Sequence, residues 1–168
     1  MKQAFYAVLF CVCLAVGFQA RCITLPAACG DDKVQFNVTT QSGLPAPAPP
    51  AAGKAQVVFI ESVYGLKATV RIGMDGAWVG ADKRDSYFPL DVTPGLHHLC
   101  ASWQSSDETS KRGVELFALN AEPGKVYYLQ VKATAAIYDV DFTFAPLNED
   151  EAVYLIQTSP LSSTTRRR

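Results

Sequence analysis

The chain is poor in several of the side chains that mark chemistry. In 168 residues it has 2 histidines, 2 tryptophans and 2 methionines, and no surplus of either charge. With 15 Lys and Arg against 16 Asp and Glu, the formal net charge is −1. No one-signed field is available to steer it to nucleic acid or to an anionic membrane. No CxxC pair and no Cys/His spacing of the zinc type occurs. No serine lies in a GxSxG elbow, and the glycines fall singly at turns instead of forming a phosphate-cradling loop. These absences argue against zinc modules, α/β-hydrolase chemistry and nucleotide binding, and no cofactor is expected.

The apolar run over residues 4–18 is shorter than the roughly 20 residues a membrane span wants. With Lys2 ahead of it, residues 1–20 read as a signal peptide, with small residues before a cut after Ala15 or Gly17. A lipid anchor is a lesser expectation, because Arg21 is a poor neighbour for a lipidated Cys22. The expected location is therefore periplasmic or secreted, with no transmembrane segment in the mature chain. Cys11 and Cys13 leave with the leader, and in an oxidising compartment two of Cys22, Cys29 and Cys100 should pair. Cys29–Cys100 is the preferred bond and Cys22–Cys29 the alternative. The former would tie the N-terminal segment to a central strand and remove about 4 kcal/mol of unfolded-state entropy.

What the sequence does have is turn-punctuated alternation. Hydrophobic residues make up 49% and charged residues 18%, enough for a packed core. The organising stretch is residues 69–103, with an Asp75-Gly76 turn of the I′ hairpin type and a Pro94-Gly95 turn suited to type II. Residues 33–39, 54–61, 69–74, 86–92, 97–103, 113–120, 126–133 and 138–144 read as strands. Pro89 marks an edge or bulge, since it cannot donate to a ladder. Asn148, with Glu151 three residues on, caps one short helix that Ser159-Pro160 ends. The expected fold is an all-β antiparallel sandwich, Ig/PEGA-like, of about 7–9 strands with one short C-terminal helix. Residues 1–20 would be leader, 21–53 an N-terminal strand segment and Pro/Ala-rich connector, 54–161 the sandwich, and 162–168 a disordered basic tail ending in Arg166-Arg167-Arg168.

Candidate chemistry is sparse. His97 and His98 are strand neighbours and point to opposite faces, so they do not ligate one metal together. Asp139 and Asp141 share a strand face, a spacing that serves acid/base work or a hard metal but is commoner on a plain wet face. A small hydrolase or metal-dependent enzyme using His98 or the Asp139/Asp141 pair is the alternative to a non-enzymatic reading. Trp78, Tyr87, Trp103 and Tyr128 form the candidate binding surface, flat aromatics suited to a glycan or a protein partner. Core filling is the competing role for each.

Several phrases carry a resemblance. They are ACG at 28–30, GKAQVVFIE at 53–61, IGMDGAWVGA at 72–81, SYFPLDVTPGLHHLCA at 86–101 and EPGKVYYLQV at 122–131. In this order they resemble the bacterial domain of unknown function 2846 family, in its exported acidobacterial form, over about residues 29–161. The resemblance implies a cell-envelope or secreted β-sandwich similar to PEGA modules, without an assigned activity or catalytic residue. It also implies the Cys29–Cys100 pair, since the exported subgroup keeps cysteines at the matching positions. Many relatives look like lipoproteins, and this chain departs from them in its poor lipobox.

Overall fold

The computed structural model describes residues 29–31, 33–63, 69–104, 114–135 and 140–168. The expected leader, Cys22, Asp139 and the polar loop over 105–112 lie outside them. Ten strands and one helix follow in order: β1 Phe36–Gln41, β2 Ala55–Val63, β3 Thr69–Met74, β4 Ala77–Lys83, β5 Tyr87–Val92, β6 Gly95–Trp103, β7 Val114–Ala121, β8 Val126–Ala135, β9 Val140–Pro146, α1 Glu149–Thr158 and β10 Leu161–Arg166. They form a sandwich-like pair of sheets. One runs β1-β10-β5-β2-β8-β9 and the other β4-β3-β6-β7.

The core follows from alternation on facing strands. Val57 and Phe59 of β2, Val70 and Ile72 of β3, Leu99 and Ala101 of β6, and Leu129 and Val131 of β8 are buried between the sheets. Phe144 sets its ring 6.0 Å from Phe59 and 5.9 Å from Phe117, tying both layers together. Residues of opposite parity on β2, Val58 and Ile60, face outward and are covered by Ala152 and Ile156 of α1. That is why 54–61 reads as nearly continuous apolar sequence: β2 is covered on both faces. The helix starts where expected, with the Asn148 side chain accepting the Glu151 N–H at 2.9 Å.

Three features differ from the sequence expectation. The sandwich is not wholly antiparallel, because β2–β8 and β10–β5 are parallel pairs. Next, the Pro-Gly turns do not close hairpins. β5 and β6 belong to different sheets, as do β7 and β8, so Pro94-Gly95 and Pro123-Gly124 carry the chain across the sandwich. Gly124 has φ +76, and Lys125 N–H donates to Glu122 C=O at 3.2 Å, a type II turn used as a bridge between layers. Third, the tail expected to be disordered forms β10, paired with β1 from Phe36↔Arg166 to Gln41↔Leu161. Arg167 continues the contact, its guanidinium donating to Asn37 Oδ1 at 2.9 Å and Gln35 Oε1 at 3.0 Å.

Pro89 falls at an edge, as expected. Glu61 N–H donates to Ser86 C=O, while Tyr87 N–H donates away from β2 to Pro160 C=O at 3.0 Å. Odd-numbered residues of β5 therefore turn their nitrogens from β2, and Pro89 places its missing donor on that side. β10 meets β5 only at Leu161↔Tyr87, so the rest of this edge borders the Pro/Ala connector.

Candidate functional site

The disulfide joins Cys29 to Cys100, with Cα atoms 5.7 Å apart. It locks the N-terminal segment onto the outer face of β3 and β6. A Cβ on Gly73 would lie 2.5 Å from Cys100 Sγ, so the strand passes under the bond only because that residue has no side chain. Beside it the Trp78 indole N–H donates to Asp31 C=O at 2.9 Å. The Arg71 guanidinium stacks 4.2 Å from the Trp78 ring centre, and its Nη1 donates to Val34 C=O at 3.0 Å. Trp78 is thus engaged by its own chain, and Trp103 packs against the central core.

The Asp75-Gly76 turn has φ +53 and +83, as a I′ hairpin requires. Asp75 Oδ1 accepts the His98 N–H at 2.8 Å, and Oδ2 lies 2.7 Å from His97 Nδ1. His97 Nε2 is 2.6 Å from Thr93 C=O. A carbonyl only accepts, so Nε2 carries a proton, and the carboxylate favours a second proton on Nδ1. Burial alone would push His97 down, but the Asp75 and Thr93 bonds outweigh it and raise its pKa above the usual histidine value. Asp75 is held below the ordinary carboxylate range: burial pushes it up, but the His98 N–H bond, the His97 bond and the histidine charges together outweigh that effect. His98 is exposed on the opposite face. The pair therefore works as a clasp between a hairpin and the β5–β6 crossing. Among the described residues no group of three or more His, Cys, Asp or Glu side chains comes together as a metal site. Asp141 occupies β9 opposite Thr134.

Tyr87 and Tyr128 come closest to forming a site. Gln56 Nε2 donates to Ala48 C=O and to Asp91 Oδ1, both at 3.1 Å, and Asp91 Oδ2 accepts the Ala51 N–H at 3.2 Å. These three bonds hold the Pro/Ala connector as a strap over the outer face of the larger sheet. Toward the β5 edge the strap borders an open groove of about 580 Å³, whose opposite wall is Tyr87, Pro89, Leu90 and Leu161. Toward α1 it borders a smaller cavity of about 200 Å³, lined by Val58, Tyr128, Val153 and Ile156. Burial raises the Tyr87 phenol, and burial with the nearby Glu149 charge raises that of Tyr128, so both stay neutral donors. The Pro/Ala run is visible in the sequence; its fold back onto β5 depends on Gln56 and Asp91, opposite each other on paired strands.

A second polar cluster was not anticipated. Glu61, Asp82, Ser86 and Ser162 are 1%, 0%, 0% and 2% exposed, respectively. The Ser86 hydroxyl donates to Asp82 Oδ1, and its oxygen lies 2.7 Å from Ser162 Oγ. Burial and the neighbouring Asp82 charge push Glu61 up to about 10. Burial also pushes Asp82 up to about 8, against the opposing effect of the serine hydrogen bonds. The sequence did hold one signal. Glu61 has the same parity on β2 as Val57 and Phe59, an inward position where an acid is out of place.

No family model matches the chain, and no curated protein or solved structure matches it at a level that marks a relative.

Proposed function

We propose that the chain is a non-enzymatic binding module of the bacterial cell envelope, periplasmic or secreted, with an Ig/PEGA-like sandwich as scaffold. The observation that carries this reading is the strap groove. It is a concave surface of about 580 Å³ on the outside of a rigid sheet, with apolar walls and a Gln56–Asp91 polar pair holding one side. Such a surface suits an extended segment of an envelope protein or a glycan chain. The disulfide accords with an oxidising compartment. His98 is exposed, and the His97 Nε2 proton is committed to the Thr93 carbonyl at 2.6 Å, so that nitrogen is not free to take a proton from the Thr93 hydroxyl 3.4 Å away.

The test is capture from envelope extract and binding to arrayed envelope glycans, using the protein and a variant with Leu44→Arg and Ala46→Arg. Both residues are exposed on the strap. The expected result is a retained partner or glycan that the double variant loses at unchanged melting temperature. Equal retention by both proteins, or none by either, overturns the groove as the binding surface.

A further inference from the structure

We propose that Glu61, Asp82, Ser86 and Ser162 form an internal binding site for a hard divalent cation of calcium type, independent of the strap groove. Four segments converge there. β2 brings Glu61, whose N–H donates to Ser86 C=O at 2.9 Å; β4 brings Asp82, the β4–β5 turn Ser86 and β10 Ser162, joined through the Ser86 hydroxyl.

The decisive observation is a set of buried carboxyl oxygens without hydrogen-bond partners. Glu61 Oε1 and Oε2 and Asp82 Oδ2 are buried and make no hydrogen bond. Ser86 Oγ lies among three oxygens, Asp82 Oδ1, Lys83 C=O and Ser162 Oγ, with one hydroxyl hydrogen to give. The Lys83 N–H reaches the two serine oxygens at 3.2 and 3.3 Å and, with the serines, favours the Asp82 carboxylate, while no donor reaches Glu61 Oε1 or Oε2. A neutral carboxylic acid would still need an acceptor for its proton, and Glu61 has none. Arg84, whose charge acts on Glu61, is bound to Asp85 at 2.9 Å at the surface. An oxygen-rich, water-excluded cluster matches calcium, which takes six to eight oxygens with flexible geometry, mono- or bidentate. Magnesium is the poorer fit because it keeps its waters and demands a strict octahedron. Ser162 gives the ion a structural consequence, since β10 joins β5 at a single register position. A cation there would fasten the C-terminal strand to the body of the sandwich.

The experiment uses purified protein stripped with chelator, then titrated at neutral pH with calcium chloride and separately with magnesium chloride. Calorimetry and thermal melting are the readouts. One calcium per chain is expected, with a melting temperature raised by roughly 5–10 °C at a hundredfold excess over the dissociation constant. Magnesium should bind at least about tenfold more weakly. Glu61→Gln and Asp82→Asn should each weaken binding roughly a hundredfold, and Ser162→Ala less. If a variant does not fold, terbium luminescence sensitised through Tyr87 on the unaltered protein, displaced by calcium, replaces it. Absence of heat, melting shift and displaceable luminescence overturns the proposal, as does calcium binding that survives in folded Glu61→Gln.

Discussion

At the scale of single residues, the polar side chains of this protein act as clasps between elements that alternation alone would leave loosely joined. His97 is the clearest case. Strand alternation places it on the face of Leu99 and Ala101, the structure shows that face to be buried, and its role comes from Asp75, twenty-two residues away. Its raised pKa fixes the sign of a pH effect. The His97 contribution is complete below the ordinary histidine value and is lost as pH rises through the folded value. The depressed Asp75 carboxyl contributes above its ordinary value and loses that contribution as pH falls through the folded one. Urea melts of the protein and of His97→Gln should therefore differ most in mildly acidic buffer and converge on the alkaline side. A gap that is constant with pH would contradict an imidazolium. Gly73 offers a sterically defined test. Gly73→Ala drives a methyl to 2.5 Å from Cys100 Sγ and 3.2 Å from Cys29 Cα, and should lower stability by about 1–3 kcal/mol in chemical denaturation.

At the scale of elements, strands and helix were readable wherever a local rule sufficed. The β3–β4 hairpin follows from Asp75-Gly76, and α1 from Asn148 with its acidic first turn. β10 was not readable. LSSTTR has no apolar alternation to announce a strand. It is one because β1 presents an edge that needs a partner, and Ser162 finds buried bonds to Ser86 and to Lys83 N–H. Asp82 was equally opaque, since in sequence it begins a balanced charged bend and in space it is fully buried. Ending the chain after Pro160 would strip β1 of all six paired positions and remove Ser162 from the cluster. Such a truncation is expected to lower the melting temperature by roughly 5 °C or more and to speed amide exchange in β1 ahead of β2. Uniform exchange across both strands would show that β10 adds nothing to β1.

At the scale of the whole molecule, the disulfide, the two Pro-Gly crossings and the parallel β2–β8 pair decide how the layers are joined. Cys29 and Cys100 are separated by 71 positions, so the bond closes most of the smaller sheet into one loop. Reduction, or Cys29→Ser, should cost about 2–5 kcal/mol in denaturant titration. A reduced protein with an unchanged midpoint would mean that the segment around Cys29 is held by Trp78 and Arg71 alone.

Taken by itself, the sequence determined most of the strands, the Asp75-Gly76 hairpin and the capped helix. Those outcomes depend on neighbours a few positions apart, through the two-residue alternation of strands and the φ preferences of Gly, Pro and Asp. Only the tertiary structure decided which strands pair, that the Pro-Gly turns cross between sheets, and that the tail becomes a strand. It also brought together Glu61, Asp82, Ser86 and Ser162, which lie up to about a hundred positions apart in the chain. Strand pairing and buried polar contacts are set by what remains unsatisfied once the rest of the chain has packed, and no local pattern carries that information.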